Sequence, residues 1–238
     1  MRKLTVIEPH ELLDSTYSLD LIEIRFLQLA FAVIYRLDGI IEDKLYEVDL
    51  KEFAEEFNLS DDTAYRALKD VSLSLAKRTL ILKSALIDKS ARKTEMSVIH
   101  WLEEVRYDTS CSSVRLKWSK SIIPLLNGLG KDNLYSKYLL ENTRNMKSIH
   151  SVRLFRLLNK WKVAGKVKWE LKEFRRLMGI AEDSYACVLN FRRDVIQKSI
   201  NDINKLSGLE VGYTSLKKGR KIVGWDFVVK VKPKRGVD

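Results

Sequence analysis

Between Cys187 and Lys205 the chain offers a run of side chains suited to reading nucleic-acid bases. At about 100° per residue, Asn190, Arg193, Asp194, Gln197, Lys198, Asn201 and Lys205 gather on one side of a helix. Val188, Phe191, Val195, Ile196, Ser199, Ile200 and Ile203 gather on the other. One face packs and the other is free to bind. Arg and Lys suit the acceptors of guanine, and Asn and Gln suit the acceptor and donor of adenine, because their spacing matches those edges in the major groove. A merely solvated face tends to alternate Glu with Lys, whereas the only acids in this helix are Asp194 and Asp202.

Downstream, Lys217-Lys218-Gly219-Arg220-Lys221 sets four cations around a glycine between two apolar strands. That is the chemistry of a hairpin tip lying along phosphates, although strand edges and turns also carry protective lysines. The candidate DNA-binding set is therefore Asn190, Arg192, Arg193, Gln197, Lys198, Asn201, Lys217, Lys218, Arg220 and Lys221, with Lys147, Lys230, Lys232, Lys234 and Arg235 as weaker extensions of the track.

Other chemistries lack their residues. A tyrosine nickase needs clustered histidines to hold its metal, and His10, His100 and His150 stand far apart. No Gly-rich loop ending in Gly-Lys-Ser/Thr is present for nucleotide phosphates. No catalytic residue, metal site or cofactor is expected. Cys111 and Cys187 are the only cysteines, so no disulfide framework is visible and a reducing cytoplasm is the natural compartment. The longest apolar stretch, Phe26 to Ile34, carries Gln28 and falls far short of a membrane span. It reads as a buried core helix, or as an assembly-prone segment if exposed.

Charge locates the binding half. Residues 1 to 130 hold 18 Lys+Arg against 21 Asp+Glu, and residues 131 to 238 hold 25 against 11, giving −3 and +14. So basic a half implies a polyanionic partner. The 238 residues suffice for two domains of ordinary size.

Self-similarity supplies their organisation. Leu50-Lys51-Glu52-Phe53 returns as Leu171-Lys172-Glu173-Phe174, and Phe57-Asn58-Leu59 faces Met178-Gly179-Ile180 at the same offset. Upstream, Ile34-Tyr35-Arg36-Leu37 faces Leu154-Phe155-Arg156-Leu157. In the first copy the pattern predicts helices over 21–37, 50–57 and 60–77, a short strand over 46–49, and strands over 79–83, 96–107 and 113–118. In the second it predicts helices over 148–162, 172–178 and 187–205, a strand over 167–171, and a hairpin pairing 209–215 with 221–230. Three helices with a hairpin behind describe a winged helix. Pro124 and Asn127-Gly128-Leu129-Gly130 read as the linker. The expected fold is α+β, two tandem winged-helix domains related by internal duplication, covering 1–128 and 129–238.

Taken together, several motifs resemble the plasmid replication initiators that bind iteron repeats. They are Leu154-Phe155-Arg156-Leu157-Leu158, the helix from Phe191-Arg192-Arg193-Asp194-Val195-Ile196 to Ile200-Asn201-Asp202-Ile203-Asn204, and Lys218-Gly219-Arg220-Lys221. Tyr135-Ser136-Lys137-Tyr138-Leu139-Leu140 and Ala64-Tyr65-Arg66-Ala67-Leu68-Lys69 are similar too. Lys198-Ser199 departs from the Pro-Ala common in the family. The resemblance implies a monomer that binds direct repeats in double-stranded origin DNA, and a dimer that represses its own promoter. It also implies a second domain that reads bases, a first that dimerises and makes auxiliary DNA-backbone contacts, and recruitment of the host initiator and helicase, with no membrane partner. A winged-helix transcription regulator without a replication role is the alternative.

Overall fold

The computed structural model describes residues 3–36, 40–83, 90, 92, 95–107, 113–127 and 135–233. Gly128, Leu129 and Gly130 of the expected linker lie outside them, as do Leu37, Cys111, Lys234 and Arg235. The chain forms two compact units, Met1–Arg144 and Asn145–Asp238.

The first unit opens with β1 (Thr5–Pro9), α1 (His10–Asp14), β2 (Thr16–Tyr17) and α2 (Leu21–Arg36). Then come β3 (Tyr46–Asp49), α3 (Leu50–Phe57), α4 (Asp61–Leu75), β4 (Thr79–Lys83), β5 (Met96–His100), β6 (Leu102–Tyr107) and β7 (Ser113–Trp118). It closes with α5 (Ile123–Asn127), β8 (Tyr135–Leu139) and α6 (Glu141–Arg144). The second unit comprises α7 (Ile149–Lys160), β9 (Lys166–Glu170), α8 (Leu171–Met178), α9 (Val188–Phe191), a π-helical turn (Arg192–Gln197), α10 (Lys198–Leu206), β10 (Leu209–Lys218) and β11 (Lys221–Val231). Among the described residues no helix is long and apolar enough to cross a membrane.

Local chemistry accounts for the helix ends. The Asp49 side chain accepts from the Glu52 N–H and Ser60 from the Thr63 N–H, each satisfying an orphan donor of a first turn. At the other end, Asn58 and Gly179 both adopt left-handed backbone, with φ of 51° and 64°, as residues that stop a helix commonly do. The next N–H bonds back alike, Leu59 to the Ala54 carbonyl at 2.9 Å and Ile180 to the Arg175 carbonyl at 3.0 Å. These residues are partners in the sequence repeat, and the sheets repeat as well. The order β3-β7-β6 in the first unit matches β9-β11-β10 in the second, all antiparallel. The chain is two winged helices.

Two expectations are corrected. Residues 96–107 are not one strand: the chain breaks at fully buried Trp101, which packs edge-on against Tyr17 at 5.4 Å. β5 then pairs with β4 while β6 pairs with β7, so the two halves serve different sheets. Tyr135–Leu139, expected in the second domain, pairs with β1 instead, and the compact units divide at Arg144/Asn145 rather than at 128/129. Backbone hydrogen bonding to a distant strand overrides the local linker signal of Pro124 and the glycines. The Phe26–Ile34 stretch is core as expected, with Gln28 accommodated by hydrogen bonds to Tyr138 and Thr143 at 2.9 and 3.0 Å.

The second unit is built around aromatic rings. Phe174 lies 5.4 to 6.0 Å from Trp169, Phe191, Trp225 and Phe227. Rings of this size each contribute about 4 to 6 kcal/mol of gross burial. β11 approaches β9 so closely at Gly224 that a Cβ there would sit 2.3 Å from the Trp169 carbonyl oxygen. Only a glycine at 224 lets β11 pair with β9 at this close approach.

Candidate nucleic-acid interface

The stretch from Val188 to Leu206 is one continuous helical rod with a widened π turn in its middle. Phe191, Val195, Ile196, Ser199, Ile200 and Ile203 are buried, whereas Asn190, Arg192, Arg193, Gln197, Lys198 and Asn201 are exposed. Buried and exposed faces fall where the periodicity puts them, with Val188 and Asp194 half-buried between them. The π turn includes exposed Arg192, Arg193 and Gln197, and such turns recur at functional sites.

The exposed face is internally wired. Arg193 donates from Nε and Nη2 to the two oxygens of Asp194, at 3.1 and 2.7 Å, and Lys198 Nζ lies 3.0 Å from the same carboxylate. These two cations hold the Asp194 carboxyl well below the usual carboxylate range, and the carboxylate raises Arg193 in return. The Tyr213 hydroxyl on β10 donates to Gln197 Oε1 at 3.0 Å, and Gln197 Nε2 donates to Asn201 Oδ1 at 3.0 Å. That relay sets which end of the Gln197 amide is donor and which acceptor. One donor hydrogen and one lone pair remain, the pair that adenine requires. Asp202, the other acid, is turned away to accept from the Ser151 hydroxyl at 2.6 Å.

The wing is the hairpin β10–β11, with Gly219 and Arg220 as its two-residue loop. Gly219 has φ of +62°, the left-handed region that a primed hairpin turn demands at its first loop position. Lys217, Lys218, Arg220 and Lys221 are all exposed, and a register shift between Leu216 and Lys217 re-aims the tip. One extension of the basic track is corrected. Lys232 Nζ donates to the Asn204 and Ser207 carbonyls, the latter at 2.9 Å, so it closes the helix rather than facing a ligand.

One residue that supports this helix was not legible in the sequence. Arg175 is 6% exposed, lies 4.7 Å from the Phe191 ring centre, and donates to the carbonyls of Ala181, Ser184 and Tyr185 at 3.2, 2.5 and 2.8 Å. It shapes the turn that leads into this helix, where Tyr185 holds the left-handed φ of 56°. In the sequence Arg175 looks like one more basic residue; its place opposite Ala54 in the repeat was the available clue. Cys187 stands at the N-cap position of this helix with an exposed thiol, held below its ordinary range by the nearby Asn190 and Leu189 N–H groups.

Comparison with known proteins follows the same lines. Residues 5–159 match the family model described as initiator replication protein, WH1, and residues 170–229 match that described as initiator Rep protein, WH2. An Escherichia coli replication initiation protein is 23% identical over 221 residues, 89% of this chain. The chain spans 65% of that relative's length. The crystal structure of Pi initiator protein in complex with iteron DNA superposes with a TM-score of 0.81 at 22% identity, over 99% of this chain and 100% of that one. Domains 2 and 3 of RctB give a TM-score of 0.53 at 12% identity, over 87% of this chain and 81% of that one. At these identities the structural likeness is one of fold.

Proposed function

The chain belongs to the initiator replication protein family, and from that membership we propose that it initiates plasmid replication by binding direct repeats in double-stranded origin DNA. The observation that carries the reading is the second unit's surface. The unit carries both a helix with an exposed Arg, Gln, Lys and Asn face and a hairpin tip of four exposed cations, the pairing of base readout with phosphate contact that sequence recognition needs. The solved complex of Pi initiator protein holds iteron DNA on the same fold, and this supports the same ligand class here.

On this reading the chain acts in the cytoplasm, without cofactor and without cutting DNA. Its available free energy is then that of binding. Bending a site costs on the order of 1 to 6 kcal/mol, which contacts from several bound copies offset, and the host initiator and helicase complete opening. A second copy pairs through the first unit to repress the promoter. Met96 and Val98, 55% and 65% exposed on strand β5, support such a contact. Family membership favours this role over a transcription regulator with no part in replication.

The test is selection of bound duplexes from a random pool, followed by a search for the selected sequence beside the encoding gene. Direct repeats there support initiation; a single inverted copy alone would point to a regulator. Incubated with Mg²⁺ or Mn²⁺, supercoiled plasmid carrying the repeats should remain closed. A specific nick, lost on replacing one tyrosine, would show an enzyme.

A further inference from the structure

Asp194 is an acid on a face otherwise built to meet DNA, and its geometry gives it a use. The Arg193 guanidinium is engaged side-on, through Nε and Nη2, by both carboxylate oxygens. A guanidinium is a rigid planar fork with five N–H donors, so this leaves Nη1 and the outward hydrogen of Nη2 open. Those two donors form the end edge of the fork, which can match O6 and N7 of a guanine. The Arg193 side chain is 69% exposed and that of Asp194 only 23%, so the acid lies against the helix and the cation projects beyond it. An unsupported arginine would lose several rotamers on binding; this one is already held. The same carboxylate draws in Lys198 at 3.0 Å, and its charge opposes phosphate.

We propose that Asp194 is a positioning residue that sets sequence specificity. It holds Arg193 with its end edge presented to a guanine, and it lowers the attraction of the whole face for DNA of any sequence. The inference rests on the duplex-reading function proposed above. Exposed ion pairs contribute little to folding, so Asp194 can be replaced without loss of the structure.

The experiment uses the full chain and a duplex selected by it from a random pool. Wild type, R193A, D194N and the double variant are titrated with that duplex, with each of its single-base substitutions and with random duplex, at several salt concentrations. D194N should lower discrimination at one guanine about tenfold, at the position where R193A does. It should also raise affinity for random duplex and steepen its salt dependence by about one unit per cation freed. In the R193A background it should cost no further discrimination at that position. Unchanged discrimination in D194N overturns the inference. So does an equal loss with and without Arg193, which would make Asp194 a base reader in its own right. Failure of the wild type to select any sequence overturns instead the duplex-reading function beneath it.

Discussion

In the first unit α3 stops at Asn58 and α4 begins at Asp61, whereas in the second α8 stops at Gly179 and the next helix does not begin until Val188. The short link needs only the Ser60 cap. The long one needs an organiser, and Arg175 supplies it with three carbonyl contacts. The repeat places buried Ala54 at the matching position.

Charge is spent differently as well. Residues 1–144 hold 21 Lys+Arg against 23 Asp+Glu, and residues 145–238 hold 22 against 9. In the first unit cations face acids: Lys117 meets Asp43 and Glu103 at 2.6 and 2.8 Å, Lys120 meets Glu42 at 3.2 Å, and Arg106 meets Glu104. Among the described residues no ion pair engages Lys217, Lys218, Arg220 or Lys221 of the second. Nearly equal numbers of cations thus give one unit a balanced surface and the other a net positive one. A duplicated frame has been kept for packing in both copies, with the excess of positive charge concentrated in one.

The largest expected effect tests that contrast directly. Replacing Lys217, Lys218, Arg220 and Lys221 together by Ala should reduce the slope of log K against log salt by about 3 to 4 units, at about 0.9 per phosphate. Replacing Arg106, Lys117 and Lys120 should move it by less than about 1 unit. Equal changes would erase the distinction between the units.

Next in size is the turn. Arg175→Met removes charged donors from three carbonyls and should cost about 2 to 3 kcal/mol, with faster hydrogen exchange over residues 181–187. An unaltered melt and exchange pattern would show that the long link needs no organiser.

On the reading face, Arg193→Ala should cost about 1 to 3 kcal/mol on the selected repeat and far less on random duplex. Arg66→Ala, on α4 of the first unit, should cost below about 1 kcal/mol and the same on both. Sequence-dependent loss at Arg66 would make the first unit a base reader too.

The smallest effect concerns pH. Burial, and then the charge of Arg153, push His150 below its ordinary value, so the folded second unit binds fewer protons there than the unfolded chain. Its stability should be complete above the unfolded value near 6.5 and decline as pH falls through it toward the lower folded one. His150→Gln should flatten that part of the profile in thermal melts.

The amino-acid order alone determined what depends on near neighbours. Helical spacing separated Val195, Ile196 and Ile200 from Arg193, Gln197 and Asn201. Turn and cap chemistry placed Asn58 and Ser60. The Leu-Lys-Glu-Phe repeat disclosed the duplication, and Gly219 among four cations disclosed the wing. Each signal spans one or two turns of chain, within reach of backbone geometry.

Other features arose only when distant segments met. Trp101 divides residues 96–107 because two sheets compete for one run of strand formers. Tyr135–Leu139 joins β1 across more than half the chain. Lys232 closes the reading helix, Tyr213 orients Gln197 across the base of the wing, and Arg175 finds its carbonyls behind Phe191. Propensity and charge are properties of residue types, but a hydrogen bond belongs to a pair. Which pairs form was decided by the packing of the aromatic core, which no local pattern of residues contains.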